Sequence, residues 1–133
     1  MLNSYRLNPQ QFASVSALPG PARFQHFVAR VADWQQVWGL KADGGWATAQ
    51  DDSGKLLCPV WPHPDYAAAC ASGDWANYRP EAIEVHDFIE HWLSGLKQDG
   101  LWLAVFPTPH MQGVPVPPDQ LRQAIEDELA GIE

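Results

Sequence analysis

The stretch Val85-His86-Asp87-Phe88-Ile89-Glu90-His91-Trp92-Leu93-Ser94-Gly95-Leu96-Lys97-Gln98-Asp99-Gly100-Leu101-Trp102-Leu103-Ala104-Val105-Phe106-Pro107 decides the fold. In its first part Val85, Phe88, Ile89, Trp92, Leu93 and Leu96 recur at helical spacing and trace one apolar face, and Gly100 stands where a helix can end. In its second part Leu101 to Phe106 is an unbroken apolar run stopped by Pro107, the pattern of a central strand buried on both faces. A helix that delivers a buried strand predicts an α+β domain.

Working outward, the period of the hydrophobic residues divides the rest of the chain. Asn8-Pro9-Gln10-Gln11 starts a helix, with Asn8 as N-cap and Pro9 at the first helical position, and Phe12, Val15 and Leu18 as its stripe. Pro19-Gly20-Pro21 breaks it and opens a second helix along Phe24, Phe27, Val28, Val31 and Trp34. Val37–Leu40 and Gly45–Ala49 read as strands around the Asp43-Gly44 turn, and Lys55–Trp61 reads as the third strand of a meander. Pro59 cannot donate to a ladder, which places it at an edge or strand end. Tyr66 to Ala71 is a short helix closing at Gly73, followed by a loop through Asp74, Trp75, Asn77, Arg79 and Pro80. Downstream, Gln112–Val116 is a short edge strand and Pro117-Pro118-Asp119 opens a last helix along Leu121, Ile125 and Leu129. With no repeat, linker or low-complexity tract, residues 1–133 form one domain: a mainly antiparallel sheet of four to five strands packed by a single layer of four to five helices.

Charge and topology narrow the function. The chain has 8 Lys and Arg against 16 Asp and Glu, a formal charge of -8. That balance argues against binding a phosphate backbone, which requires clustered cations. Every apolar run is broken before it could span a membrane, and Met1 to Gln11 shows no basic region leading into an apolar stretch. Cys58 and Cys70 are too few and too loosely spaced for a disulfide framework. These features lead to the expectation of a cytoplasmic protein with no nucleic-acid or membrane partner.

No catalytic or metal-ligating set emerges. His86 and His91 share a helix but stand five residues apart, about 140° around an α-helix, where zinc-binding helices use a spacing of four. Ser53 and Ser72 lie in turns outside any nucleophile motif, and Cys58 is inside a strand without an adjacent base. Phosphate-loop and dinucleotide glycine patterns do not occur. Asp51-Asp52 and Glu126-Asp127-Glu128 are spaced as solvated acids. The expectation is no catalytic residue, no metal and no cofactor.

Recognition chemistry concentrates in Pro59-Val60-Trp61-Pro62-His63-Pro64-Asp65-Tyr66. Here a strand ends in Trp, two prolines restrict the backbone, and a His, an Asp and a Tyr follow at a helix start. Trp61 and Tyr66 offer rigid apolar area with polar tips, and His63 can donate or accept. The alternative is structural: Trp61 packs beneath the helix, Asp65 caps it and His63 is simply exposed. Among the seven tryptophans, Trp34, Trp92 and Trp102 lie on core faces, Trp38 and Trp46 flank the hairpin turn and can pair, and Trp75 sits in a polar loop as a semi-exposed anchor. The candidate ligand- or partner-binding set is therefore Trp38, Trp61, His63, Asp65, Tyr66 and Trp75.

Trp38-Gly39-Leu40, Gly45-Trp46, Pro59-Val60-Trp61-Pro62-His63 with Tyr66-Ala67, and Ala104-Val105-Phe106-Pro107 ahead of a Pro-Pro-capped last helix form one pattern. It resembles an uncharacterised bacterial domain-of-unknown-function family, number twenty-seven fifty, over nearly the whole chain. The resemblance implies a small stand-alone α+β bacterial protein and carries over no catalytic residue. The layout is also distantly similar to SseB-type domains and to immunity proteins of toxin systems. Three readings follow. The first is a non-enzymatic protein-binding or regulatory domain facing a basic protein partner, with an immunity-like role as one concrete form. The second is a small-molecule pocket or enzyme centred on Trp61, His63 and Tyr66. The third is a homodimer built on an exposed strand edge, against a monomer.

Overall fold

A computed structural model describes residues 7–132. Two helices lead the chain: α1 (Pro9–Ser16), capped by the Asn8 side chain accepting from Gln11 N–H at 2.7 Å, and α2 (Gly20–Trp34). The strands are β1 (Gln36–Ala42), β2 (Gly45–Trp46), β3 (Ala49–Gln50), β4 (Leu56–Val60), β5 (Arg79–Glu84), β6 (Trp102–Val105) and β7 (Val114–Val116). Between them lie α3 (Pro64–Ala69), a 3-10 turn (Gly73–Trp75), α4 (Val85–Asp87), a π-helical turn (Phe88–Trp92) and α5 (Leu93–Asp99). The last helix is α6 (Pro118–Ile132). The α+β class is as the periodicity indicates. Helix α6 packs against both α2 and α5, and α3 rests separately against β1 and β5.

The meander does not form. The strands divide into two sheets, β2-β1-β5 and β3-β4-β6-β7, joined where Trp38 and Trp61 exchange backbone N–H···O bonds of 2.8 Å each. The third strand leaves the hairpin because its partner is distant in sequence: β4 pairs in parallel with β6, so the second sheet is mixed while the first is wholly antiparallel. The apolar run at Leu101–Phe106 supplies the interior strand β6, between β4 and β7, as its composition requires. β5 lies in the segment read as loop. It pairs only with β1, and Ile83 is its one buried residue, so it lacks the apolar alternation that marks a strand.

Proline positions follow from ladder direction. Phe106 N–H donates to Val60 O, which turns the alternate residues Leu103 and Val105 toward β7. Their partners Val116 and Val114 make the ladder bonds, and Pro115 turns its missing donor outward at the sheet edge. Pro59 lies between Leu57, which pairs with Ala49, and Trp61, which pairs with Trp38. The lost donor thus falls in the gap between two neighbouring strands.

The principal helix is not a single α-helix. Leu93 N–H donates to Phe88 O, five residues back, and the Ile89 carbonyl accepts instead from Arg122 Nη2 of α6 at 3.0 Å. The helix then closes on left-handed Gly100, with Leu101 N–H donating to Leu96 O at 2.9 Å. Through this turn His86 and His91 no longer stand at the α-helical angle. Each engages its own carboxylate: His86 with Glu84 at 2.7 Å, His91 with Asp87 at 2.8 Å. Among the described residues no group of three His, Cys, Asp or Glu side chains could hold a metal ion, and no helix is long and apolar enough to cross a membrane.

The core gathers Phe27, Val31, Val37, Val60, Trp61, Phe88, Leu93, Leu103, Val105, Phe106, Leu121 and Ile125, all fully buried. The tryptophans distribute differently from the pattern reading. Trp34, Trp92 and Trp102, read as core, are half-buried, whereas Trp61 has no exposed surface. Trp46 stands opposite Lys41, not Trp38; its ring lies over Gly39 and meets Trp92 edge-on at 4.5 Å. A Cβ at Gly39 would sit 3.0 Å from that ring, so the glycine makes room for it.

His26, on α2, packs near Tyr66 and Phe106, and desolvation, reinforced by Arg30, holds its imidazole below the ordinary value of 6.5. Because the folded state favours the neutral ring, its contribution to stability is complete above pH about 6.5 and is lost as pH falls through the lower folded value. Urea midpoints should therefore drop as pH falls below about 6.5. In His26→Gln that drop should flatten, and an unchanged pH profile would contradict this assignment.

Candidate functional site

Directly paired residues on adjacent strands point to the same face of a sheet. Pro59, Ala104 and Pro115 form such a row across β4, β6 and β7, while Val60, Leu103, Val105 and Val116 face the core. The row forms the floor of a cleft of about 710 Å³ on the outer face of this sheet. One wall is the turn bearing Trp75, with Cys70 and Asp74; another is the segment from Pro107 to Gly113; Thr48 to Asp51 make the rim by β3.

Both walls are built from short-range backbone bonds. Trp75 N–H donates to Ser72 O at 3.0 Å and Tyr78 N–H to Trp75 O at 3.0 Å, and Gly73 takes the left-handed φ of 58° that the turn requires. The half-buried Trp75 ring stands perpendicular to Trp61, centroids 6.3 Å apart. On the other wall Thr108 and Met111 pair backbone to backbone, and Thr108 Oγ1 accepts from the N–H groups of His110 and Met111. Gly113 packs so closely that an added Cβ would lie 2.9 Å from the Ala104 carbonyl carbon.

What holds the second wall is a cation inside the protein. Arg23 is 2% exposed and has no carboxylate partner among the described residues. Its Nε donates to Phe106 O at 3.0 Å, Nη1 to Leu18 O at 2.8 Å and to Met111 Sδ at 3.2 Å, and Nη2 to Gln112 O at 2.8 Å. Desolvation lowers its pKa from the ordinary value, and the guanidinium stays charged. Phe106, immediately before Pro107, holds φ 57°, a left-handed conformation disfavoured for an aromatic residue. It is fixed on all sides: N–H on Val60 O, carbonyl on Arg23, and the next carbonyl, Pro107 O, accepting from Trp61 Nε1 at 2.8 Å and Cys70 Sγ at 3.4 Å.

The six candidate residues separate. Trp75 alone lines the cleft. Trp61, His63 and Tyr66 are buried, with 0%, 2% and 3% of their surface exposed; His63 and Tyr66 pack edge-on against each other, His63 also against Trp34 and Tyr66 against Phe106, Trp61 packs against Trp75, and none of the three lines the cleft. Trp38 is half-buried against the core, and Asp65 lies in the first turn of α3. The cap of α3 is His63, not Asp65: its Nδ1 accepts from Asp65 N–H at 3.1 Å. The Pro-Val-Trp-Pro-His block therefore builds the support of the cleft, with Pro59 in its floor and buried Trp61 behind Trp75.

Arg23 and the Phe106–Gly113 wall were absent from the pattern reading. The signal was present: Arg23 stands four residues before Phe27 and eight before Val31, on the buried stripe of α2. A cation on an apolar stripe requires partners, and a run of carbonyls is one way to supply them.

Neither thiol is a ready nucleophile. Desolvation pushes Cys58 up to about 12, and it pushes Cys70 up to about 11 against a smaller lowering by the Trp61 side chain. Iodoacetamide at pH about 7.5 should leave both unmodified in the native protein and label both in urea. Rapid native labelling of Cys70 would show that its bond to Pro107 O opens in solution.

Residues 24–125 match the family described as "Protein of unknown function (DUF2750)", more than half of the chain, and the chain belongs to that family. Comparison with curated proteins finds no match at the level required.

Proposed function

We propose that this DUF2750 member is a non-enzymatic binding domain that holds a segment of another protein in the cleft beside Trp75. The observation that carries this reading is the half-buried Trp75 ring, braced on a buried tryptophan at the wall of a preformed cleft. Rigid aromatic anchors next to small, flat surfaces are what interface hot spots consist of. The net charge of -8 favours encounter with a basic partner and affects rate more than affinity. A cytoplasmic location and an immunity-like role, in which this face covers a basic toxin surface, are concrete forms of the proposal.

The cleft volume of about 710 Å³ also lies within the range of small-molecule sites. That second reading moves away from Trp61, His63 and Tyr66, which are buried, to the same cleft. The homodimer reading draws less support: β2 and β3 are two residues long, and the edge strands β5 and β7 carry Pro80 and Pro115.

A photo-crosslinking residue at exposed Thr48, with a control at exposed Glu90, tests the proposal in cells of the native organism. Protein adducts are expected at Thr48, absent at Glu90 and lost when Trp75→Ala is added. Adducts that ignore Trp75→Ala, or none at Thr48, would overturn it.

A further inference from the structure

The chemistry of the cleft restricts what it can hold. Its floor is Pro59, Ala104 and Pro115, side chains without polar ends, in one flat row across three strands. Such a floor accepts extended backbone and offers no hydrogen bond to a side chain. The polar residues lie at the walls and rim, where the charged groups are the carboxylates of Asp51 and Asp74 beside neutral side chains such as Gln50, Ser72, Thr108 and Gln112, and no residue lining the cleft is Lys or Arg.

The two carboxylates are available. Asp51 Oδ1 accepts from Ser53 N–H, Ser53 Oγ and Lys55 N–H at 2.9, 2.6 and 2.9 Å, bonds that hold the carboxyl below its ordinary pKa and leave Oδ2 unused within the turn. Neither Asp51 nor Asp74 forms an ion pair among the described residues. Lys55 acts on Asp51 through space, but its ammonium lies over the Trp102 ring, 4.7 Å from the centroid. Asp74 adjoins Trp75 in sequence, on the same 3-10 turn. An aromatic ring with carboxylates beside it attracts a cation, and a planar cation can stack on the ring while its N–H groups reach the oxygens.

We propose that the cleft takes an arginine side chain presented by an extended partner segment, its guanidinium against Trp75 and its donors toward Asp74 and Asp51. This rests on the reading of the cleft as a binding site for protein. Arginine fits better than lysine because the guanidinium is flat, forked and weakly hydrated, whereas an ammonium is a compact, strongly hydrated charge. The chemistry is complete without a covalent step: the ligand is held by stacking and charge-assisted hydrogen bonds.

Blocked pentapeptides that differ only at the central residue, arginine, lysine, citrulline, leucine or glutamate, test this with the whole protein by two-dimensional amide and indole NMR. Citrulline keeps the shape of arginine and lacks its charge. The arginine peptide is expected to shift the Trp75 indole resonance and the amides of Thr48–Asp51, Asp74 and Met111–Gly113. Citrulline should bind about ten-fold more weakly, and Asp74→Asn and a rise in salt from about 50 to 500 mM should each reduce arginine binding several-fold. Trp75→Leu should abolish it with the remaining spectrum in place, which separates lost recognition from lost folding. Equal binding of arginine and citrulline, or preference for leucine or glutamate, at these same resonances overturns the arginine inference and leaves the binding cleft standing. If none of the five peptides moves these resonances, the inference and the reading beneath it both fall.

Discussion

Arg23→Ala is expected to remove about 3–5 kcal/mol of folding stability, one of the two largest effects expected in this chain. The loss arises from what remains, not from the charge removed. Phe106 O would be left buried without its donor, costing on the order of 1–3 kcal/mol before any relaxation, and the partly exposed Leu18 O and Gln112 O would lose theirs at a smaller cost each. A domain of this size has about 5–15 kcal/mol in total, so the variant should be partly unfolded at physiological temperature. Arg23→Lys should recover little, because one ammonium cannot follow the fork that reaches three carbonyls. Arg23→Met keeps much of the volume and none of the bonds. Urea unfolding of the three variants separates the contributions. If Arg23→Met matched the parent within about 0.5 kcal/mol, the hydrogen bonds would contribute nothing net and the residue would be a filler. The left-handed Phe106 gives a second readout: once Arg23 is gone, about 1–3 kcal/mol of backbone strain is free to relax, and amide exchange along residues 106–113 should accelerate before the rest of the sheet opens.

The second large effect is at Trp61. Trp61→Ala should cost about 3–5 kcal/mol, since a fully buried indole leaves a cavity at the junction of the two sheets. Trp61→Phe retains most of the apolar contact and removes the Nε1–H that Pro107 O accepts, so about 1–2 kcal/mol is expected. Calorimetry at a common pH distinguishes the two. If both variants cost less than 1 kcal/mol, Trp61 would have to be tolerant surface, contrary to its burial. Trp61→Phe is also informative for recognition. It shortens the brace behind Trp75, so peptide binding should weaken in proportion to the lost rigidity of that ring, while Trp75→Leu removes the ring itself.

Much of the fold was legible because local pattern and tertiary role agree. The helix from Val85, the interior strand at Leu103, the hairpin at Asp43-Gly44, the Asn8 cap and the edge strand at Val116 all lie where periodicity and turn chemistry place them. Failures occurred where a long-range partner overrode local pattern. β5 reads Arg-Pro-Glu-Ala-Ile-Glu, polar because every side chain in it but Ile83 escapes burial, and only its ladder with β1 makes it a strand. β4 was assigned to the nearest hairpin because parallel pairing across more than forty residues leaves no trace in spacing. The site was less legible still. The aromatic block drew attention for its chemistry, yet rings that sit between two sheets are buried by geometry no window of sequence contains. Trp75, picked for its lack of periodicity, is the one that reached the cleft.

The Arg23 bond to Phe106 spans 83 positions of chain. During synthesis at about 5–20 residues per second, α2 therefore leaves the ribosome roughly 4–16 s before the Phe106 and Gln112 carbonyls exist, and until then only the Leu18 carbonyl is at hand for its inward-facing guanidinium. Over that interval, burying the apolar stripe of the helix would also bury a guanidinium that lacks two of its three carbonyl partners, a cost that opposes early collapse. The residue that holds the second wall of the cleft therefore completes its bonds only after β6 and the wall beyond it have been made.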